Sequence, residues 1–261
     1  MLIANIIFSI EIVFVYMTIW FFIGLIMKRN DVADFAWGLG FVLIALSLFI
    51  KNGFESKTNL LVLILITIWG LRLSYHIFKR NINKTEDKRY VAWRNAWGKW
   101  YVLRSYFQIF ILQGVLMLMT ISPVYFINSS PNNLLSIFSI VGTIIWIVGF
   151  IFESFGDRQL KDFLSKPENK GKILNTGLWK YTRHPNYFGE VTQWWGIWFI
   201  ALSSTLYMDW GYLSIVGPLT ITFLILKVSG IPMLEKSMEE NPLFDEYRKN
   251  TSKFFPMWKK N

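Results

Sequence analysis

The stretch from 177 to 195, GLWKYTRHPNYFGEVTQWW, gathers side chains able to do chemistry. Arg183, His184, Asn186 and Glu190 bring a cation, an imidazole, an amide and a carboxylate into one short segment. Pro185 disfavours the α conformation at His184 and suits the first turn of a following helix. Arg183 and His184 are therefore expected at the mouth of a helix that enters an apolar run. Asn186, Glu190 and Trp194 are four residues apart and fall on one face of that helix. Glu190 lies about one turn inside the run, where an unpaired carboxylate is costly and a functional partner is the first expectation. Interfacial anchoring accounts for the Trp, Tyr, Arg and His content. It does not account for a carboxylate on the same face as an amide and an indole.

Other polar side chains stand out against apolar surroundings. Asp34 and Trp37 open the second apolar run, Arg72 and Tyr75 close the third, Gln113 lies inside the fourth and Lys227 inside the last. Arg72 and Lys227 can snorkel to headgroups or pair inside a bundle. Gln113 can bind a substrate or a neighbouring helix. Trp37 sits in WGLG, a packing sequence first and a pocket wall second. The loops hold two sets of cations: Arg158, Lys161, Lys170, Lys172 and Arg183, and Lys79, Arg80, Lys84 and Arg89. Each set suits a dinucleotide phosphate or lipid headgroups. No GxGxxG follows a strand pattern, so a dinucleotide site would be built between helices rather than on a Rossmann unit. The chain has no cysteine, which excludes thiolate catalysis, disulfides and cysteine-held metals. Two histidines, His76 and His184, do not make a histidine-rich metal box, and no metal is expected.

The elements that must position these residues are membrane helices. Of 261 residues, 53% are hydrophobic and 17% charged, against about 25% charged in an ordinary soluble domain. Seven apolar runs, 2–27, 33–50, 59–78, 105–127, 134–152, 187–204 and 211–234, approach the roughly 20 residues that span a bilayer. The first run lacks the basic start and small-residue cleavage site of a signal peptide. With the N-terminus outside, the segments 28–31, 79–104, 153–186 and 235–261 face inward and hold 23 of the 27 Lys and Arg residues. The outer loops then hold only Lys51 and Lys57, which is the positive-inside pattern. The net charge of +10 is met by anionic lipid and calls for no nucleic acid. The expectation is an all-α, polytopic helix bundle of about seven transmembrane helices, one domain over 1–261, with a cytoplasmic C-terminus.

The segment GLWKYTRHPNYFGE resembles the signature of the steroid 5-alpha-reductase-like integral membrane proteins, most closely a bacterial family of uncharacterised members, the domain-of-unknown-function 1295 family. DFAWGLGFV, WGLRLSYHIFKRN, ILQG, FGDRQLKDF, SGIPMLEK and EYRKNTSKFFP fit the same pattern, so the resemblance covers nearly the whole chain. It implies NADPH held by inner loops and C-terminal helices. Asp157 and Arg158 would lie near the cofactor, with Tyr181, Arg183, His184 and Tyr187 in the motif. Asn186, Glu190 and Trp194 match residues beside the nicotinamide, and Lys227 falls where the steroid enzymes have an arginine. Ile231 and Glu235 stand where those enzymes place a histidine and a tyrosine. Tyr75 matches a tyrosine that polarises the substrate ketone, and Asp34 is the candidate for an N-terminal catalytic carboxyl.

The function that follows is a membrane-embedded, NADPH-dependent reductase of a carbon–carbon double bond in a lipophilic, enone-type substrate, steroid- or isoprenoid-like. Tyr75 or a protonated Asp34 would stabilise the charge developing on the carbonyl oxygen. Gln113 and Trp37 would meet the substrate. The expected setting is the inner membrane of a bacterium, with the active site toward the cytoplasm. Isoprenylcysteine and phospholipid methyltransferases carry a similar RHP loop, which keeps an S-adenosylmethionine-dependent lipid methyltransferase as the alternative. A non-enzymatic membrane protein is the third reading.

Overall fold

The computed structural model describes residues 1–52, 56–82, 84–130, 135–206 and 208–258. Among these residues the secondary structure is helical throughout and contains no strand. Two compact units emerge: Met1–Ser136 with Ala201–Gly217, and Ile137–Ile200 with Pro218–Asn261.

In the first unit, α1 (Leu2–Met27) is apolar around most of its circumference and leaves Ile3, Ile7, Phe14 and Ile19 exposed. It ends where Lys28 turns left-handed at φ 55° and its N–H returns to the carbonyls of Gly24 and Leu25. The helices α2 (Val32–Asn52) and α3 (Lys57–Asn81) follow. Ser56 caps α3 by accepting the Asn59 N–H. The two helices touch at Gly38 and Gly70, where a Cβ on either would meet the other's carbonyl oxygen at 2.6 Å. Phe41, Ile44, Leu48, Ile66 and Trp69 fill the core beside that contact. The segment 79–104, expected as a loop, contains α4 (Lys88–Trp97), and α5 (Tyr101–Ser105) follows it. The run expected at 105–127 is not one helix. It widens to a π-helical stretch at Tyr106–Ile111, continues as α6 (Leu112–Thr120) and restarts as α7 (Ser122–Ser129). Pro123 near the start of α7 has no N–H to continue the earlier ladder, which fixes the break.

The second unit begins with α8 (Ile137–Leu164). A loop with two 3-10 turns, Pro167–Asn169 and Gly177–Lys180, leads to α9 (Pro185–Thr205), of which the part up to Ile200 belongs to this unit. Antiparallel packing of α8 on α9 rests on glycines. A Cβ on Gly142 would meet the Gly196 carbonyl at 2.5 Å, and one on Gly149 the Gly189 carbonyl at 2.6 Å. Gly156 lies against the Asn186 backbone N at 3.0 Å by the same measure. Spaced seven apart, these small residues let two backbones approach and bring the polar residues of both helices within reach of each other. The last run, expected at 211–234, is also interrupted. After the 3-10 turn Gly211–Ile215, α10 (Val216–Phe223) passes into a π-helical stretch, Leu224–Val228, and the helix breaks before α11 (Ile231–Met238). Pro232 marks that restart as Pro123 marks the earlier one. After α12 (Pro242–Asn250) the described chain continues to 258 without regular secondary structure.

Among the described residues, six helical stretches have the length and apolarity to cross a membrane: Leu2–Met27, Val32–Asn52, Lys57–Asn81, Lys88–Thr120, Ile137–Leu164 and Gly211–Met238. The remaining expected run, 187–204, forms most of α9, which is 21 residues long but carries Glu190, Thr192 and Gln193 within its first half. It falls outside the six, against the seven expected.

Candidate functional site

Unit 2 assembles its polar residues on α8, on the mouth of α9 and on the C-terminal segments. Arg183 is buried and spends its donors within the protein. Its Nε donates to Glu235 Oε1 at 2.8 Å, and one terminal nitrogen donates to the carbonyls of Arg248 at 3.1 Å and Thr251 at 2.7 Å. The same Glu235 oxygen lies 3.0 Å from His184 Nε2. His184 is 1% exposed, and its ring stacks on Tyr187 with centroids 5.7 Å apart. Burial pulls its pKa below the ordinary value, outweighing the Glu235 hydrogen bond, which favours the charged form. A neutral ring that donates from Nε2 to a carboxylate carries its lone pair on Nδ1, and that enclosed atom meets no hydrogen-bond partner among the described residues.

Two residues further on, Asn186 Nδ2 donates to Asp157 Oδ1 at 3.0 Å, and Asn186 Oδ1 is likewise enclosed and without a partner among the described residues. Asp157 and Glu153 are both buried and lie four apart on α8. Glu153 accepts from Gln193 Nε2, one helical turn beyond Gly189. Trp194 is buried, whereas Glu190 and Tyr187 are half-buried. The expected face therefore forms. Its partner on α8 is a pair of carboxylates, of which only Asp157 is expected from the sequence. Glu153 sits one residue past the apolar run that ends at 152 and reads there as loop. The i, i+4 spacing of Glu153 and Asp157 is the signal that places both on one helix face.

The remaining sequence candidates of this unit lie apart from that cluster. Arg158 is exposed and 3.8 Å from Asp162 on its own helix. Lys227 is exposed on the π-helical stretch. Half-buried Tyr181 accepts the Met257 N–H on its carbonyl and holds its ring 5.3 Å from that of Trp258.

Unit 1 forms a second polar cluster around Asp34. Tyr90, 3% exposed, donates its hydroxyl to Asp34 Oδ1 at 2.6 Å, and Arg89 donates to Oδ2 at 3.2 Å. Arg89 also donates to Asp87, and those bonds hold the Asp87 carboxyl below its usual range against the opposing effect of burial. Beside them Arg29 grips Asp31 at 2.6 and 2.7 Å, and Arg94 holds Glu86 at 2.7 Å. The tyrosine brought to Asp34 is thus Tyr90 and not Tyr75. Tyr75 is 62% exposed on the outer face of α3, with its hydroxyl bonded to Lys79. Its position on the helix turns it away from the neighbour that holds Asp34. Asp34 accepts from both Arg89 and Tyr90, so its carboxyl is engaged here as an acceptor and not as the donor expected of a protonated Asp34. Trp37 is half-buried and packs edge-on against Phe41 at 5.1 Å, as a packing residue does. Gln113 is half-buried on α6, and its Oε1 is enclosed without a partner among the described residues. No group of three or more metal-ligating side chains occurs among the described residues.

Comparison with known proteins identifies the family. An uncharacterized protein of Schizosaccharomyces pombe is 26% identical over 226 residues, covering 77% of this chain and 64% of that protein. The 3-oxo-5-alpha-steroid 4-dehydrogenase 1 of Bos taurus is 32% identical over 73 residues, 28% of this chain and 27% of the enzyme. Its Mus musculus counterpart is 33% identical over 57 residues, 22% of each chain. The chain spans less than two thirds of the length of each of these relatives. No solved structure matches. The family described as "Protein of unknown function (DUF1295)" matches residues 20–251, nearly the full length, and the chain belongs to that family.

Proposed function

We propose that this protein is a membrane reductase that uses NADPH to reduce a carbon–carbon double bond conjugated to a carbonyl in a lipophilic substrate. The observation that carries the reading is the similarity to 3-oxo-5-alpha-steroid 4-dehydrogenases, joined to the polar face that α8 and α9 build in an otherwise apolar helix pair. The residues present fit a dinucleotide. His184 Nδ1 and Asn186 Oδ1 are enclosed acceptors without a partner among the described residues, and a carboxamide or a sugar hydroxyl supplies the donors they lack. Lys161, Lys170 and Lys172 are exposed in the same unit and offer charge to phosphates.

When bound, NADPH supplies a hydride. The chain's own residues have the remaining tasks. Asp157 orients the Asn186 amide, so that its oxygen faces away from the carboxylate. Glu190 adds an acceptor on the same face of α9. Arg183 does not reach for phosphate; it ties the motif to α11, α12 and the segment beyond.

Detergent-purified protein tests the reading directly. NADPH binding, followed by dihydronicotinamide fluorescence, is expected to be tighter than NADH binding, because an additional phosphate meets excess cations. Binding of S-adenosylmethionine in preference to both would replace the reductase by a methyltransferase.

A further inference from the structure

The last described residues of unit 2 run back along the motif. The Arg183 N–H donates to the Ser252 carbonyl at 2.9 Å, the Thr182 hydroxyl to the Phe254 carbonyl at 2.9 Å, and the Met257 N–H to the Tyr181 carbonyl at 2.9 Å. Phe254 turns inward, buried, and meets the Phe188 ring at 5.7 Å. Phe255, Met257 and Trp258 turn outward and are 66%, 56% and 81% exposed. Such a segment in water would hold three large apolar side chains where nothing covers them.

The level of this segment along the helices is fixed by its neighbours. Residues 181–183 lead directly into Pro185, the first residue of α9. The start of α9 lies against Gly156 of α8, and Trp179 Nε1 donates to the Gly156 carbonyl at 3.1 Å. Gly156 is where the outer surface of α8 changes character. Ile151 and Phe155 are exposed and apolar on one side of it, and Arg158 and Lys161 are exposed and charged on the other. On a helix long and apolar enough to span a bilayer, that change marks the boundary between hydrocarbon and headgroups. Aromatic side chains with a polar edge, flanked by a cation such as the exposed Lys253, suit that boundary.

We infer that residues 252–258 form an interfacial strap, with Phe255, Met257 and Trp258 inserted among lipid headgroups, that holds the 181–184 motif at the membrane surface. The partner is the lipid of the bilayer itself. The inference is independent of the reductase reading.

The absence of native cysteine gives a clean test. Trp258→Cys and, separately, Met257→Cys, which leaves both aromatics in place, are labelled with bimane in phosphatidylcholine–phosphatidylglycerol vesicles. Ser165→Cys, in the exposed loop after α8, is the reference. Doxyl groups placed near the headgroup should quench the label at 257 and 258 at least about threefold more than at 165, and more than doxyl groups deep in the acyl chain. Quenching no greater than at 165 would overturn the inference, since the segment then faces water or a soluble protein. Stronger quenching by the deep label would also overturn it.

Discussion

Arg183 is buried, as is Thr251, whose carbonyl it serves, while its carboxylate partner Glu235 is half-buried. Removing the guanidinium takes a charged hydrogen bond from Glu235, worth about 1.5–3 kcal/mol, and leaves the buried Thr251 carbonyl without this donor. Arg183→Met is therefore expected to lower the melting temperature strongly in a detergent thermal scan, while the exposed pair of Arg158→Gln should move it little. Glu190 and Asn186 make the opposite claim, with modest effects on stability and large ones on ligand. A hydrogen bond to a charged group is worth about 1.5–3 kcal/mol against roughly 1 for a neutral one, so Glu190→Gln should weaken NADPH about tenfold. Asn186→Leu should do the same, and Lys57→Gln should leave affinity unchanged. Wild-type affinity in both motif variants would detach this face from the cofactor. His184 adds a dependence on pH. Its folded pKa lies below the ordinary histidine value of about 6.5, so the unfolded chain binds the proton more readily. Its contribution to stability is present above that value and is lost as pH falls through it. Glu235, Arg183 and Lys253 are the charges that bear on this ring, and between pH 7 and 5.5 the wild type should lose more melting temperature than His184→Gln.

Helices show how far a sequence can be read. The apolar runs predict α1, α2, α3, α8 and α9 because length and hydropathy are local properties. The interruptions at Tyr106–Ile111 and Leu224–Val228 carry no local mark, since π-helical turns arise from packing around them. Proline and glycine do mark the breaks at 123 and 230. At the site, Asn186, Glu190 and Trp194 are legible from spacing alone. Their neighbours are not, because Glu153 meets Gln193 across 40 positions and Arg183 meets Thr251 across 68. Tyr90 rather than Tyr75 faces Asp34 for the same reason: α4 returns to α2 from 56 residues away. The glycine seam between α8 and α9 belongs to this scale. Gly149→Val has no room, with the Gly189 carbonyl and the Gln193 backbone N at 2.6 and 2.7 Å from the new Cβ, and overpacking costs about 1–3 kcal/mol. The substitution should separate the two helices and weaken NADPH binding together with stability, whereas Ile147→Ala, on the exposed side of α8, should spare both.

At the scale of the whole molecule, the positive-inside pattern of the basic segments predicts an orientation. Ser165 is expected on the cytoplasmic side and Ser130 on the other. A cysteine at Ser130 should react with an impermeant maleimide on intact cells and one at Ser165 should not. The reverse pattern would invert the topology and move the motif to the outer face.

The division of labour between arginine and lysine in unit 1 has an electrical consequence. Asp31, Asp34, Glu86 and Asp87 are taken up by Arg29, Arg89 and Arg94. Lys28, Lys79, Lys84, Lys88 and Lys99 stay on the surface. Paired arginine charge and exposed lysine charge are therefore distinct populations in this unit. At 0.15 M salt an exposed charge is felt over about 8 Å and at 1 M over about 3 Å, whereas a buried pair is screened far less. Raising ionic strength should slow the capture of any anionic ligand by these lysines by an order of magnitude or more. The same salt should lower the melting temperature only modestly, since the arginine pairs of this cluster are half-buried and only partly screened.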